Sequence, residues 1–344
     1  MKILLKNGSI VSGSGVRRAD VLIENEKISK IASDITDPDA EENDLTGKFL
    51  FPGFIDAHTH MGLHVAGTVT ADDFTTGTAA AIAGGTTTII DFGTQYHGET
   101  LKQGLANWHR MASGENSCDY SFHMSISEWT PSVSDEIDDM MEAGITTFKL
   151  YMTYPAMMLN DGEIYEVLKK LKKVGSFAGV HCENAGLIDA LIRENKSNGL
   201  LSPAAHPLSR PDTMEAEAVH RLMVIAKEAD APVMVVHTTN EKALKEIISA
   251  RQQGTVAFCE TCPQYLFLDR SLSIFRISEV HAMSVLRRCG QKKIRMFCGR
   301  QSATVSLIQF QRITAALLWR RKNSAVTILQ RFRAGFRVWR RGET

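Results

Sequence analysis

From residue 50 to about residue 270, short β-rich runs alternate with stretches of helical periodicity. The runs are FIDAHTH (54–60), TTTIIDF (86–92), SFHMSIS (121–127), TTFKLYM (146–152), FAGVHCEN (177–184), PVMVVHTT (232–239) and TVAFCETC (255–262). Between them lie segments such as EIYEVLKKLKK (163–173) and AEAVHRLMVIAKEA (216–229), the second ending just before Pro232. Repeated strand–helix units imply a parallel sheet, open or closed. Seven of them, with polar residues gathered at the strand C-termini, predict an α/β chain with a (β/α)8 TIM-type barrel rather than a doubly wound sheet. A nucleotide fold would place a glycine fingerprint after its first strand, whereas AGGTTT (83–88) precedes one. Residues 1–50 follow another rule. ILLKNGSIVSG and ADVLIENEKISKIAS alternate apolar and polar residues around NG and EN turns, as antiparallel hairpins do. They predict a small N-terminal β module before the barrel.

Composition adds a soluble, globular character: of 344 residues, 44% are hydrophobic and 23% charged. The apolar run in MKILLKNGSIVSGSG is too short for a signal peptide. No stretch approaches the roughly 20 apolar residues of a membrane span, so a cytoplasmic location is expected. The six cysteines lack regular spacing and read as reduced, mostly buried thiols. Cys259 and Cys262 have no second pair with which to form a zinc knuckle. Charge changes the picture more. Residues 1–272 carry 23 basic and 37 acidic residues, but 273–344 carry 16 basic residues against two acids, Glu279 and Glu343. The net charge of zero therefore conceals a sharp break.

Candidate chemistry collects at the ends of the β runs. His58 and His60, at i and i+2 of a strand, point to the same side. They can begin a metal site but not complete one. His181 follows FAGV, His237 follows PVMVV, and Tyr154 lies just beyond TTFKLYM. Within that apolar run stands Lys149, where an ammonium is costly to bury unless something neutralises or uses it. One such histidine alone would read as a hydrogen-bonded core residue. Four at the ends of three runs, with a lysine inside a fourth, outweigh that reading. His64, His97, His109, His123, His206, His220 and His281 lack such placement and read as surface or supporting residues.

The motifs DAHTH (56–60), GTVTADDFTTGT (67–78), AGGTTTIIDF (83–92), GITTFKLYMTY (144–154), GVHCEN (179–184), SRPDTMEAEAV (209–219), VVHTT (235–239) and ETCPQYLFLD (260–269) resemble the dihydropyrimidinase and D-hydantoinase family of cyclic amidohydrolases over residues 1–272. The resemblance implies two divalent metal ions, usually zinc, with His58 and His60 on the buried ion and His181 and His237 on the outer one. Lys149 would be carboxylated by CO2 and bridge both. A water activated between the ions would attack the ring amide carbonyl, Tyr154 would stabilise the oxyanion, and the product would be an N-carbamoyl amino acid. Dihydroorotases share the fold but follow HxH with an arginine, where Met61 and Gly62 stand here. The partner implied is a small cyclic amide, with no nucleic acid and no membrane. Family members are homotetramers, and their N-terminal module is half of a composite sandwich completed by the chain's C-terminal end.

The family also needs an aspartate after the eighth strand, in a motif resembling STDHCSF, as metal ligand and proton-transfer group. No aspartate follows Asp269. The genetic code suggests why. Phe310–Leu318, FQRITAALL, can be written TTT CAA CGG ATC ACT GCA GCT TTA CTT. Read from the third base and continued into Trp319, it gives STDHCSFTL. At the same offset QKKIRMFCGRQ (291–301) permits KKDQDVLWEA, GFRVWRRG (335–342) permits IPGVEKRG, and His281–Arg288 permits YVCSPPL. All four look like family segments in family order. The tail is therefore expected to be translated out of frame from a slip near Ser271–Ser273, with strand eight lost, residues 1–50 left with an unpaired edge, and the chain impaired or inactive. The competing function for the tail is a basic amphipathic helix, VTILQRFRAGFRVWRR (326–341), of the membrane-surface or calmodulin-target kind. For the whole chain the alternatives are a non-catalytic dihydropyrimidinase-like protein and, more distantly, a nucleobase deaminase, which gives Lys149 no role. Sequencing the gene across codons 271–273 should reveal an inserted or deleted base followed by the family motifs. An uninterrupted frame without them would remove this account of the tail.

Overall fold

The computed structural model describes residues 1–65, 68–114, 116–262 and 265, with the backbone of three short strands at 308–310, 313–314 and 327–328. Seven strands lead the chain: β1 (Lys2–Lys6), β2 (Ser9–Ser12), β3 (Gly15–Arg18), β4 (Asp20–Glu24), β5 (Lys27–Ala32), β6 (Glu41–Asp44) and β7 (Phe49–Pro52). The two-residue turn between β4 and β5 places Asn25 and Glu26 at φ 48° and 64°, the left-handed pair that lets two twisted strands fold back on each other. The strands form two sheets, one ordered β5-β4-β1-β6 and the other containing β7-β2-β3. Leu5 and Val21 of the first meet Leu50 of the second around Leu45, with Ile3, Ile10, Ile23 and Ile28 packed alongside. The alternation legible in residues 1–50 is thus the pattern of two sheets sharing one apolar interior.

A parallel array follows: β8 (Phe54–Thr59), the short hairpin β9 (His64–Val65) and β10 (Thr68–Val69), α1 (Phe74–Ala83), β11 (Thr86–Thr94), α2 (Leu101–Ala112), β12 (Asp119–Ser125), α3 (Pro131–Glu142), β13 (Thr147–Tyr151), α4 (Asp161–Lys173), β14 (Phe177–His181), α5 (Ala185–Ser197), α6 (Asp212–Glu228), β15 (Val233–Val235), α7 (Glu241–Gln252) and β16 (Ala257–Thr261). Asp73, Thr100 and Asn160 open α1, α2 and α4 with reciprocal capping boxes to Thr76, Gln103 and Glu163. On α4 the buried positions are Ile164, Val167, Leu168 and Leu171, an i, i+3, i+4, i+7 stripe facing the sheet. Burying each such side chain contributes about 1.5–3 kcal/mol before entropy is counted. The strands read as continuous apolar runs because both of their faces are covered. Among the described residues, no helix is long and apolar enough to cross a membrane.

The main sheet runs β16-β15-β14-β13-β12-β11-β8, every neighbour parallel. This is the order of an incomplete TIM-type barrel. The expected loss of strand eight meets a different finding. β17 (Ile308–Phe310) pairs parallel with Cys259–Thr261, and β18 (Ile313–Thr314) pairs parallel with His58 and Thr59. Two short backbone segments thus take both edges of the seven-strand array. The physical reason is that the two edge strands of a seven-strand array offer ladders of N–H and C=O groups, which any extended segment of compatible length can satisfy. A third segment, β19 (Thr327–Ile328), pairs with Phe51 and Pro52, so the expected open edge of the N-terminal sheets is partly covered. The remaining expectations for residues 273–344, including the basic helix at 326–341, lie outside the described residues.

Gly53 joins the N-terminal sheets to β8, and a Cβ there would lie 2.0, 2.6 and 2.8 Å from Oγ1, Cγ2 and Cβ of the buried Thr87. Because the clash reaches Thr87 Cβ, rotating that side chain cannot relieve it. Gly53→Ala is expected to cost about 1–3 kcal/mol, read as a lowered urea midpoint, whereas wild-type stability in that variant would contradict the close packing.

Candidate metal centre

The residues singled out for metal chemistry sit on or just past parallel strands, and the four histidines lie at the strands' C-terminal ends, where (β/α)8 folds place their active sites. His58 is on β8 and His60 one residue past it; Lys149 is on β13, His181 closes β14, and His237 lies two residues beyond β15. The rings of His58 and His60 are 5.2 Å apart, those of His58 and His237 5.5 Å, and those of His181 and His237 4.7 Å. Tyr154, at φ 70° in the loop after β13, brings its ring to 5.1 Å from His181. Phe92 of β11 forms a shared aromatic wall: His60 stacks on it at 4.9 Å, His58 meets it at 4.6 Å, and Lys149 Nζ stands 5.3 Å from its centre. Lys149 is 1% exposed, and a second ring, Tyr151, lies 5.0 Å from its ammonium. All six sequence-predicted residues therefore gather at one end of the sheet.

Carboxylates orient two of the imidazoles. His58 Nδ1 donates to Glu260 Oε1 at 2.8 Å, with both side chains buried. His181 Nε2 lies 2.9 Å from Glu183 Oε2, and Arg210 approaches the other oxygen of Glu183 at 3.7 Å. Fixing one nitrogen as a donor leaves the other with its lone pair. His181 Nδ1 consequently accepts from His237 Nε2, 3.0 Å away. Burial, reinforced by the Lys149 and His181 charges, holds His58 well below the usual histidine range, and burial with His181 and Lys149 does the same for His237. Neutral imidazoles are the ligating form. Among the described residues, no three His, Cys, Asp or Glu side chains already form a ligand cluster. The imidazoles come instead as two pairs, and Lys149 acts electrostatically on a member of each. Two imidazole pairs around a buried lysine, with His58 and His237 held in the neutral form, fit a binuclear divalent centre, provided that the lysine becomes an oxygen ligand.

Several supporting residues were not singled out in the sequence. Asp91 Oδ2 accepts from Thr59 Oγ1 at 2.8 Å and from the Met61 N–H at 2.9 Å, and its Oδ1 accepts from the Phe92 N–H and Trp108 Nε1. It thereby pins the chain on both sides of His60. Burial pushes its carboxyl up to about 7 against those hydrogen bonds. Asp91, Glu183 and Glu260 carry the signal that exposed Lys149: a charged residue within or ending an apolar run. His123 is a supporting residue as expected. Its Nε2 donates to the Ala57 carbonyl at 3.0 Å and its Nδ1 accepts from Thr147 Oγ1, tying β8 to β12 and β13. His220 pairs with Glu246 on the surface, while His281 lies outside the described residues. The four described cysteines are buried free thiols, as expected of 118, 182, 259 and 262.

Residues 49–275 match the amidohydrolase family. The chain belongs to that family. It is 42% identical over 273 residues to a D-hydantoinase of Geobacillus stearothermophilus, covering 79% of this chain and 58% of the relative. A D-phenylhydantoinase of Escherichia coli is 36% identical over 323 residues, covering 93% and 70%. The solved dihydropyrimidinase of Brevibacillus agri superposes with a TM-score of 0.87 at 36% identity, over 91% of this chain and 68% of that one. The chain thus spans a little under three fifths of the length of the first of these relatives.

Burial holds His123 down at about 4. The unfolded chain takes up a proton near pH 6.5 that the folded chain refuses, so this contribution is complete above 6.5 and is lost as the pH falls towards 4. His123→Gln should therefore flatten the fall in urea midpoint between pH 7 and 5, by at most about 1.4 kcal/mol per pH unit. A variant with an unchanged slope would show that His123 titrates normally.

Proposed function

We propose that this chain carries the metal centre of a cyclic-amide hydrolase of the dihydropyrimidinase and hydantoinase kind. The observation behind the reading is the convergence of His58, His60, His181 and His237 around buried Lys149, with two imidazoles held by carboxylates. His58 and His60 would hold one divalent ion, His181 and His237 the other, and carboxylated Lys149 both; zinc suits the imidazole donors. Bound there, two such ions supply Lewis acidity and a water acidic enough to ionise near neutral pH. The protein's own part is geometric. The aromatic wall of Phe92 covers one side, Glu260 and Glu183 hold the imidazole tautomers, and the Tyr154 ring lies beside His181, from where its hydroxyl would stabilise the charge developing on an amide oxygen. The substrate class, dihydrouracil, dihydrothymine or a 5-substituted hydantoin, comes from the relatives' activities and the motif resemblance. Ring opening adds one water across the amide C–N bond and leaves an N-carbamoyl amino acid.

The chain as written is further proposed to be impaired. Residues 308–310 and 313–314 pair with the two edges of the seven-strand array, so the impairment is argued from residue type. No aspartate follows Asp269 to supply the remaining ligand and proton carrier. The family match ends at residue 275, within a few residues of the expected slip. That absent carboxylate is also what favours the non-catalytic alternative.

Assays with dihydrouracil and a 5-substituted hydantoin, in the presence of zinc and bicarbonate, should give negligible turnover for the 344-residue chain. A version translated in the shifted frame after Ser271 should hydrolyse at least one of them, and Lys149→Ala in that version should lose at least about 1000-fold in kcat, as removal of a group central to charge stabilisation does. Substantial hydrolysis by the chain as written would refute the impairment, and an inactive restored chain would refute the enzymatic reading.

A further inference from the structure

We propose that Glu260 is a shared positioning residue that sets the geometry of both imidazole pairs through one oxygen. Its Oε1 takes the Nδ1 proton of His58 at 2.8 Å and the backbone N–H of His237 at 2.9 Å. The side chain is 2% exposed, and the two groups it joins come from opposite pairs, on β8 and just beyond β15.

Each bond does separate work. Accepting from Nδ1 makes His58 a fixed tautomer with its Nε2 lone pair directed away from β16. Accepting from the His237 N–H replaces a ladder bond at the point where the chain leaves β15 and adopts φ 40°, a left-handed conformation uncommon for a residue with a Cβ. Neighbouring bonds hold the same corner: the Thr238 N–H donates to the Glu260 carbonyl at 2.7 Å, and Thr261 Oγ1 donates to the Thr238 carbonyl at 2.8 Å. Because one oxygen accepts both bonds, turning the Glu260 side chain away from His58 also withdraws the acceptor from the His237 N–H. Glu183, by contrast, is bonded to His181, with Arg210 behind it. Two carboxylates with different reach predict different consequences: removing Glu260 loosens both halves of the centre, and removing Glu183 loosens one.

The consequence for metal uptake rests on the metal-centre reading, while the tautomer does not, so the two are measured separately. In the full metal-free chain labelled with 15N-histidine, His58 should show a protonated Nδ1 and an unprotonated Nε2. Glu260→Gln keeps the shape and an acceptor oxygen and should weaken this preference; Glu260→Ala should abolish it. Zinc uptake by equilibrium dialysis should then show two equivalents for the wild type. Both should weaken 10- to 100-fold in Glu260→Ala, but only one in Glu183→Gln. A wild-type His58 protonated on Nε2, a tautomer unmoved by both Glu260 variants, or a Glu260→Ala chain that loses only one equivalent would overturn the proposal. The wild-type tautomer needs no variant, so misfolding of Glu260→Ala cannot shelter it. Wild-type chain that takes up no zinc yet shows the expected tautomer and its shift would support Glu260's role and count against the metal centre itself.

Discussion

Everything in this molecule turns on how a lysine and four imidazoles can share a buried cavity. Five basic side chains of like potential charge repel one another once water is removed, and burial alone disfavours their charged forms. The chain meets this in part by keeping two imidazoles neutral: burial, with the nearby His181 and Lys149, holds His58 and His237 well below their ordinary range. Those two imidazoles therefore offer lone pairs rather than cations, which is the electronic state a divalent ion needs.

Neutral imidazoles still have two tautomers, and only one of them aims a lone pair inward. Buried carboxylates make the choice. Glu260, on β16, and Glu183, just past β14, accept from His58 and His181. Asp91 acts one layer further out, gripping the backbone around His60 and the hydroxyl of Thr59. Glu260 and Asp91 are themselves pushed up to about 7 by burial, so the acids as well as the bases are held away from their ordinary protonation behaviour. A barrel end is suited to such an arrangement because successive strands deliver side chains to one rim from rigid, hydrogen-bonded positions.

The tail bears on a different link of the chain from sequence to function. Backbone pairing is indifferent to side chains, so residues 308–310 and 313–314 can occupy the edges of the sheet whatever frame produced them. Chemistry has no such tolerance. The stretch from Phe310 to Leu318, which in a shifted reading yields STDHCSFTL, contains no carboxylate as it stands. Fold and activity can thus part company at one short segment.

How much of this could be read in advance follows from where the information is local. The seven parallel strands were legible because apolar runs of the right length lie between helical periods, and each run begins within two residues of an observed strand, although 177–184 and 232–239 run three and four residues past its end. His58, His60, Lys149, His181, His237 and Tyr154 were legible because polar or charged residues at the ends of apolar runs stand out against their surroundings. The same signal was present at Asp91, Glu183 and Glu260, but their roles were not, since a charged residue in an apolar run does not say which partner it serves. His58 and Glu260 are separated by 202 positions and meet only when β8 and β16 are brought round the sheet. Strand identity is decided by neighbours along the chain; tautomer, charge state and the pairing of the barrel's two edges are decided by neighbours across it, because hydrogen bonds and burial act over a few ångströms of space regardless of separation in sequence.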